Sequence, residues 1–257
     1  AMLYSKDCNS LIINHPREES ITNDSHMHEG EISTRLGIKG MPDIAEEIIV
    51  NRDISLCEYT ESRTHLSYLS AKRSVDRVKK AKRKGIDITS DVSIYNLIFT
   101  DDMLNNFDSR YKVKPPLRTL IDKKALIKGL KDNTIDVITS DHSPHEEEVK
   151  KIEFNNAAYG IIGLETIFGL LGKHILPHIE ISQIIEKIAI NPRKILELED
   201  ASIEEGNKAN ITLFDPTLSW KFTNKMIKSK SNNTPFIGEE LIGKALAIYN
   251  NGKLKEC

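Results

Sequence analysis

Cysteine, aromatic residues and net charge are all scarce in this chain. Its 257 residues include 3 Cys, 1 Trp and 6% aromatics overall. Cys8, Cys57 and Cys257 are odd in number, far apart and outside any CxxC spacing. That excludes a disulfide framework and a zinc knot, and reads as free thiols in a reducing cytosol. The 36 Lys+Arg nearly balance the 38 Asp+Glu, leaving a formal charge of −2. So small a charge gives no strong field for a general nucleic-acid binder. No apolar run approaches the roughly 18 residues of a membrane span, and the opening AMLYSKDCNS lacks the sections of a signal peptide. What is present is an ordinary globular content of apolar residues, 39% before glycine is added, unlike that of a disordered chain. The expectation is a cytoplasmic globular chain, long enough for one large domain or two small ones.

Four β-branched stretches stand out: Ser10 to Asn14, Arg63 to Leu69, Ile86 to Val92 and Ile135 to Ser140. Helical patterns follow them. One opens at Pro42 and carries Ala45, Ile48, Ile49 and Leu56; a second runs from about Ala71 to Lys84 with Gly85 as its stop. A third covers about Asp122 to Lys131, and IIGLETIFGLLG reads as a buried helix. Strands alternating with helices predict βαβ units and a parallel sheet. Four such units are half of a closed eight-stranded barrel, and the start in mid-pattern favours a chain that begins partway round one. Helical patterns continue to about Leu198, with Asn191-Pro192 as a break. From about Ile203 the texture becomes β-rich, with NITLFDP and KALAIYNNGKL as strands and Asn-Asn-Gly as a turn. This divides the chain into a barrel part, 1–202, and a β appendage, 203–257. The basic run KKAKRKG is read as a solvated helix face.

His15, His65, Asp91 and Asp141 fall at the C-terminal ends of the predicted strands, the face where a (β/α) barrel carries its chemistry. A carboxylate at the end of a buried strand needs a cation or a proton. Asp141 in S-D-H-S-P-H is such a group, suited to metal binding and to proton transfer with a metal-bound water. His15 and His65, on two other βα units, would converge with it as an open zinc site requires. His145, four residues beyond Asp141, is positioned for a substrate carboxylate. His26 and His28 are read as a loop feature, and His174 and His178 as having no role at the site.

Several peptides in order across the chain resemble class I dihydroorotases of the amidohydrolase superfamily. They are MHEGEISTRLGIKGMPDIAEE, THLS, KPPLR, GLKDNTIDVITSDHSPH, YGIIGLET, NPRKILEL and NTPFIGEELIGKALAIYNNGK. The resemblance implies an α/β fold of (β/α)8 TIM-barrel type, represented by its C-terminal half-barrel (strands 5–8) with the C-terminal part of a small β-sandwich. It implies reversible zinc-dependent hydrolysis of dihydroorotate to N-carbamoyl-L-aspartate in pyrimidine synthesis, with two Zn2+ in a complete site. By the same resemblance, His15, His65 and Asp141 are metal ligands and Asp141 is the catalytic acid/base. The resemblance also implies that Lys114, at the family's Asn position, with His145, Tyr159 and Gly160, would face the substrate.

Three departures qualify this expectation. The family's first His-x-His and its bridging carboxylate are not found in the chain. Lys114 stands where the family usually has Asn, and His15-Pro16-Arg17-Glu18 replaces a Cys-Glu-Asp peptide after the first metal histidine. The alternatives are a non-catalytic partner of aspartate transcarbamoylase and a hydantoinase- or allantoinase-like enzyme. The expected partners are a small-molecule substrate, with a homodimer and the transcarbamoylase left open, and neither nucleic acid nor membrane. The isolated chain is expected to be inactive and to bind metal weakly.

Overall fold

The computed structural model describes residues 1–199 and 201–257. Its contacts divide the chain into two units. The first comprises 1–162 and 229–235, the second 163–228 and 236–257.

The first unit is built on six strands: β1 (Ile12–Asn14), β2 (Met27–His28), β3 (Gly40–Met41), β4 (Thr64–Leu66), β5 (Ile88–Ser93) and β6 (Val137–Thr139). A parallel sheet runs in the order β1-β4-β5-β6, and β2 pairs with β3. The four predicted strands are therefore the four strands of one parallel sheet. Leu66, Ile88, Val92 and Ile138 are buried along it, as expected for a sheet covered on both faces. β1 and β6 are its edges, and Ile13 on β1 is 55% exposed.

Helix Ile44–Thr60 follows β3, leads into β4 and packs on helix Lys72–Arg83, which in turn packs on Leu120–Lys131. In the first of these, Ala45, Ile49, Asp53, Cys57 and Thr60 face inward at helical spacing. Ile48 and Leu56, expected inside, are exposed. The face is turned because Asp53 is buried, where it accepts a hydrogen bond from the Asn14 amide. Helix Lys72–Arg83 buries Val75, Val78 and Ala81 and ends before Gly85 at φ +80°, the conformation glycine adopts without strain. Its basic run is not wholly solvated: Lys79 pairs with Asp132, and Lys82 with Asp136 at 2.6 Å. Beside β2, Met27, Ile32, Leu104 and Phe154 form a separate hydrophobic cluster.

The second unit carries an antiparallel sheet β7 (Ile211–Lys221), β8 (Glu240–Asn250) and β9 (Lys253–Glu256). The predicted Asn-Asn-Gly turn joins β8 to β9, with Asn251 and Gly252 both at positive φ, as a tight hairpin turn needs. Helix Ile167–His174 packs on β8. It begins later than IIGLET suggests, and Leu164 is exposed. Because this helix packs on β8, the edge of the unit lies before it rather than at residue 203. A Cβ on Gly172 would lie 1.7 Å from the Ile242 carbonyl oxygen, so only glycine allows this approach. The break expected at Asn191-Pro192 is a continuous passage from a π-helical turn, Glu186–Ile190, into helix Asn191–Ile195 with proline in its first turn. No described helix is long and apolar enough to cross a membrane.

Candidate active site

Parallel strands direct their C-terminal ends to one side of a sheet, so residues at or just beyond β1, β4, β5 and β6 share a rim. His65 lies within β4 and is buried; its Nδ1 is 2.8 Å from Thr89 Oγ1 and its Nε2 3.0 Å from Asp91 Oδ2. Asp91, also buried, accepts a 2.7 Å hydrogen bond from the Tyr68 main-chain N–H through its other oxygen. Asp141 follows β6 at φ +45°, a left-handed conformation uncommon for a residue with a side chain. Its Oδ2 accepts a 3.2 Å hydrogen bond from Ser93 Oγ. Burial above all, and then the Asp91 charge, push its carboxyl up to about 7 against the opposing Ser93 and Ser143 hydroxyls.

His15 stands just past β1, with its ring edge-on to Tyr68 at 5.4 Å between centroids. Loss of hydration lowers its pKa; Arg17 and Lys114 add to this, while Glu46 and Asp91 oppose it. Tyr68, to which sequence reasoning gave no role, touches both sides of this group. Burial raises its phenol to about 12, with Asp141 and Asp91 contributing. Its only advance signal was its place just after THLS.

A second cluster gathers the remaining candidates. His145 Nε2 is 2.7 Å from the Tyr159 carbonyl oxygen, and its main-chain N–H donates to Asn233 Oδ1 at 3.1 Å. Lys114 Nζ lies 5.4 Å from the centre of the Tyr159 ring. The Tyr159 hydroxyl donates to the Ser25 carbonyl at 2.8 Å. Gly160 sits at φ +133°, and a Cβ there would come 2.4 Å from Ser143 Cβ. Asn233 Nδ2 ties Ser143 and Gly160 together through their carbonyls, at 2.9 and 3.1 Å. Asn233 opens the NTPFIG peptide and also lacked an assigned role.

A small, shallow cleft at His15 is lined by Arg17, Met41, Glu46, Pro115 and Arg118, among others. Arg118 donates to Ser70 Oγ at 2.7 Å and to the Met41 carbonyl at 3.2 Å, and lies 3.6 Å from Glu46. His28, expected in a loop, is in β2 and meets Arg118 Nη1 through Nδ1 at 3.1 Å. Burial and the Arg118 charge lower its pKa to about 4, so it is neutral and accepts that hydrogen bond.

Two imidazoles and a carboxylate are donor types that suit zinc. The arrangement does not match: among the described residues no three His, Cys, Asp or Glu are grouped to hold an ion, and His65 Nε2 is directed at Asp91.

A sequence profile described as Dihydro-orotase-like matches residues 1–74. The chain is 40% identical over 246 residues to the dihydroorotase of Carboxydothermus hydrogenoformans, covering 95% of this chain and 57% of that protein. It is 38% identical over 256 residues to the dihydroorotase of Acetivibrio thermocellus, covering 99% and 60%. The chain thus spans about 60% of the length of the curated relatives it matches. Among solved structures it is similar to an L-hydantoinase (dihydropyrimidinase) from Arthrobacter aurescens, TM-score 0.85 at 19% identity. It is also similar to a dihydropyrimidinase from Brevibacillus agri, TM-score 0.83 at 19% identity. Each match covers 98% of this chain and 58% of the other, and likeness at that identity shows a shared α/β fold. Over nearly its whole length the chain is thus similar to part of curated dihydroorotases, and its residues 1–74 match the Dihydro-orotase-like profile.

Proposed function

We propose that the protein this chain represents interconverts dihydroorotate and N-carbamoyl-L-aspartate, with Asp141 moving the proton. The observation that carries this reading is the place of Asp141, just past β6 with Ser93 Oγ 3.2 Å from its Oδ2, where burial also raises its carboxyl to about 7. A group that titrates near neutrality both takes up and releases a proton readily. In the hydrolytic direction Asp141 accepts a proton from the attacking water and gives it to the departing ring nitrogen as the amide C–N bond breaks. The oxygen stays on the acyl carbon, and its second proton is released to solvent as the new carboxylate forms. Ring closure reverses each transfer.

The Lys114, His145, Tyr159 and Gly160 cluster is proposed to orient the substrate. A lysine and an imidazole beside an aromatic ring suit a ring compound bearing a carboxylate. This feature favours dihydroorotate over an uncharged cyclic amide of the hydantoin type. His15 and His65 are proposed as zinc ligands only in company with donors beyond these residues, since the described set does not assemble three. The edge strands β1 and β6 support the companion proposal that the four-stranded sheet is half of a closed barrel. The second unit then contributes part of a β-sandwich.

The test is ring closure of carbamoyl-aspartate by the full-length protein in the presence of zinc. Asp141→Asn is expected to lower turnover by about 10²-fold or more. No turnover by the wild-type protein, with stable co-purification of aspartate transcarbamoylase, would support a non-catalytic subunit instead. Hydrolysis of hydantoins but not dihydroorotate would favour the hydantoinase reading.

A further inference from the structure

Two lysines that the proposed chemistry does not use are among the most deeply buried polar residues of the first unit. Lys112 is 1% exposed and Lys150 4%. Burying an ammonium is costly unless its donors are satisfied. Lys112 Nζ donates to the carbonyls of Phe154 at 2.6 Å, Asn155 at 3.0 Å and Ala157 at 2.8 Å, which uses all three of its N–H groups. Lys150 Nζ donates to the carbonyls of Ser109 at 2.6 Å and Ala158 at 2.8 Å. Every one of these acceptors is main chain.

Four of the five acceptors, the carbonyls of Phe154, Asn155, Ala157 and Ala158, lie where regular structure does not satisfy them. The chain from Lys151 to Gly160 forms no helix or strand, so its buried carbonyls need donors from elsewhere. The two ammonium groups supply them and join this loop to the segment Ser109–Lys112. The Gly160 N–H donates back to the Lys112 carbonyl at 2.8 Å, and Ser109 Oγ donates to the Lys150 carbonyl at 2.6 Å. Lys112 Nζ also lies 4.5 Å from the centre of the Tyr159 ring, and Lys114 Nζ lies 5.4 Å from it. Two cations against one ring restrain its orientation.

We propose that Lys112 and Lys150 are positioning residues, pinning the 151–160 loop so that Tyr159 and Gly160 are held ready for substrate. Neither touches substrate; they act through the main chain and the Tyr159 ring. Burial lowers both ammonium groups to about 8, and the Lys112 charge adds to the effect on Lys150. The protein therefore keeps two cations in an unfavourable setting, which their five carbonyl acceptors offset. This inference rests on the substrate role proposed above for Tyr159 and Gly160.

The test compares full-length wild type with Lys112→Met and Lys150→Met by amide hydrogen exchange and steady-state kinetics. Amides of 153–160 are expected to exchange about tenfold faster in Lys112→Met, with β4 and β5 unchanged. KM for dihydroorotate is expected to rise about tenfold with kcat within about threefold, the signature of lost ground-state positioning. Unchanged exchange in the loop, or a fall in kcat at constant KM, overturns the proposal. Should Lys112→Met lose protection throughout the first unit, Lys150→Met decides by the same two readouts. A wild type without turnover refutes the proposed function, and loop exchange then decides the pinning by itself.

Discussion

His65 Nε2 lies 3.0 Å from Asp91 Oδ2, and both side chains are buried. Both ring nitrogens of His65 are thus already engaged, Nδ1 by Thr89 and Nε2 by a carboxylate one strand over. An incoming ion must break one of those contacts, and no group of three ligands among the described residues is ready to repay the loss. Isothermal titration of this chain with zinc is expected to give binding weaker than micromolar, well short of a structural zinc site. A two-zinc isotherm of micromolar or tighter affinity would contradict this.

Asp141 has its carboxyl raised from 3.8 to about 7. The native state therefore holds a proton there that the unfolded chain releases, and stability falls as pH rises from 3.8 through about 7. Above that range Asp141→Asn is expected to stabilise the protein by at most about 4 kcal/mol, with little effect below pH 3.8. Urea denaturation at the two pH values checks it; equal stability of the two proteins at pH 8 counts against a raised carboxyl.

The opposite slope belongs to His28, whose pKa falls from 6.5 to about 4 beside Arg118. Here the unfolded chain binds the extra proton. The contribution is fully present above 6.5 and is lost as pH falls toward about 4, amounting to at most about 3 kcal/mol. His28→Gln keeps an acceptor for Arg118 and is expected to flatten acid destabilisation in that window. Thermal melts across the window would reveal an unchanged slope if the idea is wrong.

Gly172 packs its helix directly on the Ile242 carbonyl, with room for no Cβ. Gly172→Ala is expected to destabilise the second unit by about 1–3 kcal/mol through overpacking, despite the better helix propensity of alanine. Equal midpoints in urea for Gly172→Ala and wild type would show that the helix can retreat.

The strand-helix rhythm was legible because β-branched runs such as IDVITS and the Val75–Val78–Ala81 spacing are local signals. Helix Ile44–Thr60 was found but its inward face misjudged. Hydrophobicity favours Ile48 and Leu56, whereas Asn14 from another element turns Asp53 inward. The places of His15 and Asp141 just past strands, and of His65 within one, were legible from the β-branched runs that precede or contain them. Tyr68 and Asn233 were not, since each acts mainly through contacts with residues distant in the chain. His28 was misread because a two-residue strand has too little sequence for a period to show.

By itself the sequence determined the alternation of strands and helices, the positive-φ turns at Gly85 and Asn251-Gly252, and the likeness to dihydroorotases. These follow from near-neighbour sterics, hydrophobic period and peptides contiguous in the chain. Only the tertiary structure decided which donors face one another: His65 toward Asp91, Asp141 toward Ser93, and Lys112 into the carbonyls of 154–157. The reason is physical. Hydrogen bonding and burial of charge depend on distances of a few ångströms between residues tens of positions apart, and no local pattern encodes those distances.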